Sequence, residues 1–200
     1  MLLAGGLSEE EQRDFVTRMM RETERIHRIL RDLLEFARPA SRAGVTGPEP
    51  PGSLSEAIAD VTALVRPQKA FRDVALVTEI EPDLPRVALS GPRIVQILLN
   101  LLLNAADASP PKGGRVIVRA SRRQDQVRVE VEDNGSGIAP EVKDTLFEPF
   151  VTTKPTGEGT GLGLAVCRGL VEAASGTINV EAAEGGGARF VIDLPAERVS

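Results

Sequence analysis

Two asparagines stand one helical turn apart within residues 96–106, a segment made almost entirely of isoleucine, leucine and alanine. A spacing of four places the side chains of Asn100 and Asn104 on one face of a helix. Amide oxygens can bind Mg²⁺ when phosphates and water complete its octahedral shell. Buried amides more often bond to neighbouring backbone groups. The pattern therefore allows a magnesium ligand and leaves the structural alternative open.

An acidic residue followed by two glycines comes directly after an alternating strand pattern. Asn134 and Gly135 are typical of a hairpin turn, although a long loop follows here instead of a returning strand. A carboxylate at the strand end, Asp133, could accept a hydrogen bond from an exocyclic amine. Gly135 and Gly137 would let the backbone approach a planar ring. Both interpretations stay open on these residues alone.

The next two segments combine aromatic residues, a lysine and glycines. In residues 146–154, LFEPFVTTK, we expect Phe147 and Phe150 to pin a loop that ends in a phosphate-reaching Lys154; a satellite hydrophobic cluster is the alternative. Residues 157–164, GEGTGLGL, open a predicted helix, where free backbone N–H groups favour anions. The glycine run alone is a weak signal, because neither a Walker lysine nor a preceding strand accompanies it.

In this order the four segments resemble the ATP-binding domains of the GHKL superfamily, and the last two resemble bacterial sensor histidine kinases in particular. The matches are Asn100–Asn104 with the N box, Asp133–Gly137 with the G1 box, Phe147–Phe150 with the F box and Gly159–Gly163 with the G2 box. The resemblance covers residues 54–195. Residues 8–39 resemble the second helix of that family's dimerisation hairpin.

The resemblance implies an α+β fold, a two-layer sandwich of a mixed β-sheet covered by helices, preceded by one long N-terminal helix. It divides the chain into a hairpin helix (1–38), a linker (39–53) and a catalytic ATP-binding domain (54–196). The Pro, Gly and Ser content of the segment before residue 54 supports that boundary.

The resemblance also implies a site for ATP and Mg²⁺. Asn104 would hold the metal and, with Lys154 near the γ-phosphate, form the catalytic pair, while Asp133 would bind the adenine amine and residues 139–160 would form a lid. Asp107 stands where many relatives carry a basic residue. The implied cofactor-binding residues are Asn100, Asn104, Asp107, Asp133, Gly135, Gly137, Ile138, Thr153, Lys154, Gly159, Thr160, Gly161, Leu162, Gly163 and Leu164.

The residue at position 100 helps to distinguish a kinase from an ATPase within this superfamily. GHKL ATPases such as gyrase and Hsp90 carry a glutamate base where this chain has Asn100, and an amide cannot take a proton from water. This fits a kinase. The resemblance implies that the kinase transfers the γ-phosphate to a histidine and has a response regulator receiver domain as partner. The alternatives are a non-catalytic nucleotide- or partner-binding module that regulates an intact kinase, and a GHKL serine kinase or ATPase.

The acceptor-histidine motif of the family is missing from this sequence. The single histidine, His27, lies in a predicted apolar seam of the N-terminal helix, and we interpret it as structural. The chain is therefore expected to begin after the first hairpin helix and to need a histidine from another chain. Helix 8–37 could dimerise with the hairpin of a kinase.

Composition narrows the remaining classes. The 200 residues include 24 basic and 29 acidic side chains, a net charge of −5, with no tryptophan or tyrosine. A nucleic-acid binder would carry a basic face and aromatic platforms. One cysteine and one histidine exclude an internal disulfide and a zinc site, and we expect a cytoplasmic protein. No apolar run reaches the roughly 18 residues of a membrane span.

Periodicity and turn residues predict the elements. Ser8 is expected to cap the first helix, Pro39 to end it, and two apolar stripes to follow its length. The predicted helices are 8–37, 54–70, 92–107 and 161–174, and the predicted strands are 74–80, 87–89, 115–121, 126–133, 177–183 and 188–194, with a long loop at 135–161.

Overall fold

The computed structural model describes residues 8–36, 50–154 and 159–197, and within the first of these ranges it describes side chains only up to residue 23 and not that of residue 21. The helices are α1 (Glu9–Phe36), α2 (Leu54–Val65), α3 (Gly91–Ala108), α4 (Pro140–Lys143) and α5 (Gly163–Ala173), with a short 3₁₀ turn at Lys69–Phe71. The strands are β1 (Val74–Ile80), β2 (Gly114–Arg123), β3 (Gln126–Asp133), β4 (Thr177–Ala182) and β5 (Ala188–Pro195). The predicted α+β class with one preceding helix is confirmed.

The five strands form one mixed sheet in the order β1-β2-β3-β5-β4. β1 and β2 run parallel and the other neighbours run antiparallel. Parallel neighbours need a long crossover, and α3 supplies it between these two strands. This topology carries the carboxyl-terminal end of β3 to the carboxyl-terminal end of α3.

One face of the sheet packs on α2, α3 and α5. Burial alternates strictly along β3: Val127, Val129 and Val131 are buried and the residues between them are half-buried. α3 contributes the largest share of the core, and its buried residues are Ile94, Ile97, Leu98, Leu101, Leu102, Ala105 and Ala106. The result is a two-layer sandwich in which α3 is fixed by burial along its inner face.

The opposite face of the sheet carries ion pairs. Arg119 donates to Glu79 and Glu132, each at 2.8 Å, and Arg128 binds Asp193 through two bonds of 2.8 Å. Cross-strand pairs of opposite charge stabilise neighbouring strands modestly. They mark this face as the one not covered by helices.

One predicted helix is too long and one predicted strand does not form. α2 ends at Val65 instead of residue 70, because Pro67 cannot donate the next helical hydrogen bond. Leu64, near the end of α2, is 53% exposed. Residues 87–89 do not form a strand; Val87 makes only single bridges to Gly52 and Ala196.

The last residues before α2 belong to the packed structure. The N–H of Gly52 donates to the carbonyls of Val87 (3.1 Å) and Leu89 (2.8 Å). Ser53 caps α2 by accepting from the N–H of Glu56 at 3.3 Å. The end of the predicted linker is thus bonded to the domain at residues 52 and 53.

α1 begins with a reciprocal cap. The N–H of Glu11 donates to Ser8 Oγ (3.3 Å), and the N–H of Ser8 donates to the Glu11 carboxylate (2.8 Å). These hydrogen bonds lower the pKa of Glu11. The predicted N-cap is confirmed, whereas the predicted stop at Pro39 and the side chain of His27 lie outside the described residues.

Four large apolar side chains near the start of α1 face solvent. They are Phe15, Val16, Met19 and Met20, each more than half exposed. Within the described ranges, no helix has the length and apolar character needed to cross a bilayer.

Candidate functional site

Asp133 is the last residue of β3 and is only 4% exposed. Its Oδ1 accepts hydrogen bonds from the N–H groups of Gly135 (2.9 Å) and Ala188 (3.2 Å). Burial raises the pKa of this carboxyl, and the two backbone bonds oppose that shift. Within the described residues no donor bonds to Oδ2. A buried carboxylate with one oxygen fixed and the other unpaired can accept a hydrogen bond from a ligand.

Glycines allow the backbone to pack tightly around Asp133. Gly187 has φ +90°, and a Cβ there would overlap the carbonyl oxygen of Asp133. Gly137, at φ +73°, lies against Gly187, while a side chain on Gly135 would overlap the carbonyl of Ala108. The end of β3 therefore touches the end of α3 without any intervening side chain.

The three-glycine turn before β5 was missed as part of the site. The predicted strands 177–183 and 188–194 leave residues 185–187 only as the turn between them. In the structure this turn presents the Ala188 N–H to Asp133 and places Gly187 against it. The signal was the unusual run of three glycines, each with positive φ.

Asn104, Asp107 and Lys154 form one polar cluster between α3 and the segment that precedes α5. Lys154 Nζ donates to Asn104 Oδ1 at 3.2 Å and forms an ion pair with Asp107 Oδ2 at 2.5 Å. Asn104 and Asp107 are three residues apart, so their side chains share one face of α3. The cluster holds two oxygens and one ammonium group.

Asn100 joins α3 to the beginning of α5. Its Nδ2 donates to the carbonyl of Gly163 at 3.3 Å and to Cys167 Sγ at 3.8 Å. A Cβ at Gly163 would meet the Asn100 amide at ordinary contact distance. Complete burial raises the pKa of Cys167 to about 12, so its thiol stays protonated and is no nucleophile.

The beginning of α5 is tied to the loop before it. The N–H of Phe150 donates to the carbonyl of Gly161 at 2.9 Å. Gly161 has φ +66°, and a Cβ there would overlap the Phe150 backbone. Thr160 Oγ1 accepts from the N–H of Leu162, whose side chain is buried. These contacts fix where the backbone turns into the helix.

The expectation that both phenylalanine rings pin the loop was wrong for one of them. Phe147 packs edge-to-face on Phe190, with ring centroids 6.4 Å apart. Phe150 is 66% exposed and adopts φ +69°, so it holds the loop through its backbone rather than its ring. Positive φ at a bulky residue is costly and is kept only where neighbouring contacts enforce it.

The segment predicted as a plain loop contains a helical turn, α4, which begins at Pro140. Ile138, half-buried, and Leu164 pack against the core, whereas Thr153 is exposed. Gly159 lies against Thr152 and Lys154. Residues 155–158 lie outside the described ranges. The described contacts therefore form two adjoining regions. One lies around Asp133, with Gly135 and Gly137, and the other lies between α3 and the start of α5, with Asn100, Asn104, Asp107, Lys154, Gly161 and Gly163.

Comparison with known proteins identifies the family to which this fold belongs. A family model for histidine kinase-, DNA gyrase B- and HSP90-like ATPases matches residues 90–198. The sensor histidine kinase ZraS of Salmonella typhimurium is 35% identical over 192 residues, which cover 96% of this chain and 39% of ZraS. The histidine-protein kinase AtoS of Escherichia coli is 30% identical over 188 residues, 94% of this chain and 30% of AtoS.

Solved structures give the same result. Full-length ShkA in complex with AMPPNP superposes with a TM-score of 0.76 at 28% identity, over 98% of this chain and 41% of ShkA. Histidine kinase ThkA in complex with the response regulator TrrA gives 0.74 at 26% identity, over 96% of this chain and 53% of the ThkA chain.

The chain belongs to the family of histidine kinase-, DNA gyrase B- and HSP90-like ATPases. Within this family it is a catalytic domain of the sensor histidine kinase type. It spans well under half the length of the curated relatives named above. These relatives do not favour the alternatives of a serine kinase, an ATPase or a non-catalytic module.

Proposed function

We propose that this chain binds Mg-ATP in the two adjoining regions and transfers the γ-phosphate to a histidine of a kinase hairpin. The observation that supports the nucleotide most directly is Asp133. Its Oδ1 is held by two backbone N–H groups, which leaves Oδ2 to accept from the exocyclic amine of adenine. Gly135 and Gly137 give the ring access, and Ile138 supplies an apolar contact.

The phosphates would lie between α3 and the start of α5. There the backbone from Gly159 to Gly163 carries N–H groups at a helix N-terminus, which favour anions. Lys154 would turn to the γ-phosphate and neutralise part of its charge. Leu164, Thr153 and Thr160 border the same region.

The residues present fit a hard divalent cation. Asn104 offers an amide oxygen, and the ammonium group that donates to it supports a position for positive charge. The described residues include no cluster of three or more histidine, cysteine or acidic side chains that could hold a metal alone. Mg²⁺ would take its other ligands from phosphates and water, and it would supply electrostatic stabilisation of the transferred phosphoryl group.

The protein itself would position the nucleotide and avoid catalysing its hydrolysis. Asn100 stands one turn before Asn104, with its amide bonded to the Gly163 carbonyl. An amide cannot serve as a base for hydrolysis. The γ-phosphate would therefore persist until an acceptor histidine is presented.

The partners follow from the relatives. ThkA has been solved with a response regulator, and we extend that partner class to this chain. α1 would be the second helix of a dimerisation hairpin in residues 1–38, joined by a linker at 39–53 to the catalytic domain at 54–196. Its exposed apolar side chains suit helix pairing.

Nucleotide binding provides the first test. Fluorescent ADP with Mg²⁺ is expected to bind the purified chain, and Asp133→Asn should weaken binding at least about a hundredfold, because the amide meets the adenine amine with one fewer acceptor site and no charge. Asp125→Asn, in an exposed turn, is the matched control. Equal affinity of Asp133→Asn and wild type would overturn the adenine assignment.

Phosphotransfer is tested with γ-labelled ATP and a ZraS variant whose own ATP site is inactivated. Acid-labile label on ZraS that depends on Asp133 supports the kinase function. Release of inorganic phosphate without labelled protein, at a rate that Asp133→Asn abolishes, would indicate an ATPase instead.

A further inference from the structure

We propose that Asp107 joins Asn104 as a ligand of the divalent cation, and that Lys154 occupies this cation position when nucleotide is absent. The lysine and the metal would then exclude each other, and metal binding would release the segment that carries Lys154 from α3. The inference deepens the proposed function and rests on it for the role of Asn104.

The geometry of the cluster is the first argument. One nitrogen, Lys154 Nζ, lies 3.2 Å from Asn104 Oδ1 and 2.5 Å from Asp107 Oδ2. Two oxygens from successive turns of one helix therefore converge on a single cation. Carboxylate and amide oxygens are ligands that Mg²⁺ and Mn²⁺ prefer. The ammonium group marks the point where these ligands would meet a metal.

Electrostatic repulsion explains why Lys154 and a divalent cation would not occupy this position together. Asp107 and Lys154 neutralise each other, so the cluster carries no net charge while the ion pair persists. A divalent cation placed between the same oxygens would lie within contact distance of the ammonium group and repel it strongly. Binding of the metal therefore requires Lys154 to leave, which frees it to neutralise phosphate charge.

The position of Lys154 in the chain explains the consequence for the loop. Its N–H donates to Thr152 Oγ1 at 3.2 Å, and its side chain packs against Gly159. The hydrogen bond between Phe150 and Gly161 closes the base of this segment. Within the described residues, Lys154 joins the segment 151–154 to Asn104 and Asp107 on α3.

The ion pair is suited to reversible exchange. The side chains of Lys154 and Asp107 are 32% and 50% exposed, so solvent and metal can reach both. Exposed pairs contribute little to stability and are screened by salt. A ligand with higher charge can therefore displace the lysine without disrupting the core beneath α3.

The test uses Mn²⁺ alone, without nucleotide, and measures free Mn²⁺ by electron paramagnetic resonance. Lys154→Met should bind Mn²⁺ roughly two- to fivefold more tightly than wild type, since it removes a competitor held by a partly exposed pair. Asp107→Asn and the double variant Lys154→Met/Asp107→Asn should lose this gain. Lys69→Met removes the same charge from an exposed site elsewhere and should bind as wild type does.

A second readout follows the loop. Mn²⁺ should increase amide hydrogen exchange of residues 150–154 and 159–161 in the wild type, whereas Lys154→Met should exchange rapidly with or without the metal. Equal Mn²⁺ affinity of Lys154→Met and wild type would overturn the exclusion. Equal affinity of Lys154→Met and the double variant would overturn the role of Asp107. Thermal unfolding confirms that each variant is folded.

This result can be separated from the proposed function. ADP binding in EDTA depends on Asp133 and not on the metal cluster. If ADP binding still requires Asp133 while Lys154→Met and Asp107→Asn leave the Mn²⁺ affinity unchanged, only the proposed exchange of Lys154 for the metal is wrong. If ADP binding is indifferent to Asp133, the nucleotide function fails whatever Mn²⁺ does.

Discussion

At the scale of the residue, Asp133 combines burial with charge. Its carboxyl is enclosed at the end of β3, and two backbone N–H groups only partly compensate for the lost hydration. Burial raises its pKa. A group kept in this state costs stability, which is typical of residues retained for binding.

The sign of this pKa shift predicts how stability depends on pH. Protonation of Asp133 favours the folded state fully below the pKa of the unfolded chain, and this contribution is lost as pH rises through the higher folded pKa. Asn at this position can still accept from Gly135 and Ala188 without carrying charge. Asp133→Asn should therefore unfold at an equal or higher temperature than wild type at pH 7, although it is expected to bind nucleotide much more weakly.

Calorimetry between pH 4 and pH 7 provides the measurement, with Asp125→Asn as the control. The difference in melting temperature between Asp133→Asn and wild type should narrow as pH falls through the folded pKa of Asp133. A difference that widens towards acid would contradict the raised pKa.

At the scale of the element, α3 and α5 are joined by polar contacts at the edge of an apolar interface. Asn100 bonds to the first turn of α5, and Gly161 sets the approach of the preceding loop by its contact with Phe150. Two residues with positive φ, Phe150 and Gly161, lie side by side at this junction. The direction of the α5 N-terminus depends on them.

Gly161→Ala is expected to destabilise this junction. A left-handed conformation costs a residue with a Cβ about 1–2 kcal/mol, and overlap with the Phe150 backbone adds to that. Gly169→Ala is the matched control, because a Cβ there meets nothing and the residue lies within α5. It should raise stability by about 0.5–1 kcal/mol.

Urea unfolding measures both variants, and fluorescent ADP reports the site. Gly161→Ala should also weaken nucleotide binding, whereas Gly169→Ala should leave it unchanged. Equal stability of Gly161→Ala and wild type would mean that the loop adjusts without cost.

At the scale of the whole molecule, the sandwich and α1 differ in how they bury apolar surface. The sandwich encloses its core between one sheet face and three helices. α1 leaves Phe15, Val16, Met19 and Met20 exposed on neighbouring faces of the helix, an arrangement that favours association with other helices.

This surface predicts self-association. Val16→Glu should weaken any dimer at least about tenfold, because a carboxylate would be buried in an apolar contact. Thr17→Glu adds the same charge beside the apolar side chains rather than among them. Sedimentation and light scattering over a range of concentrations measure the effect. Identical association of Val16→Glu and Thr17→Glu would exclude this surface as the contact.

Much of the fold could be predicted because the local sequence patterns agree with the elements that tertiary packing stabilises. The capping pattern at Ser8, the alternation that ends at Asp133 and the apolar helix around Asn100 are each encoded within a few residues. The roles that could not be predicted depend on approach between distant segments. Gly187 contacts Asp133 across more than fifty residues, and no local pattern specifies such a contact.

The prediction for Phe150 shows the same limit. Its residue type favours a buried ring, but its backbone conformation is set by Gly161 in the next segment, and the ring faces solvent. Likewise, Val87 follows a strand-like pattern, yet its neighbours offer only single bridges. Sequence therefore predicts the type of contact better than its partner.

The buried cysteine between α3 and α5 has a practical consequence. Cys167 is the single thiol of the chain, it is fully enclosed, and the Asn100 amide points at its sulfur. A maleimide or disulfide reagent can reach it only when the two helices separate. The rate of thiol labelling therefore reports the rate at which α3 and α5 separate. It can be measured in the native protein without introducing another cysteine.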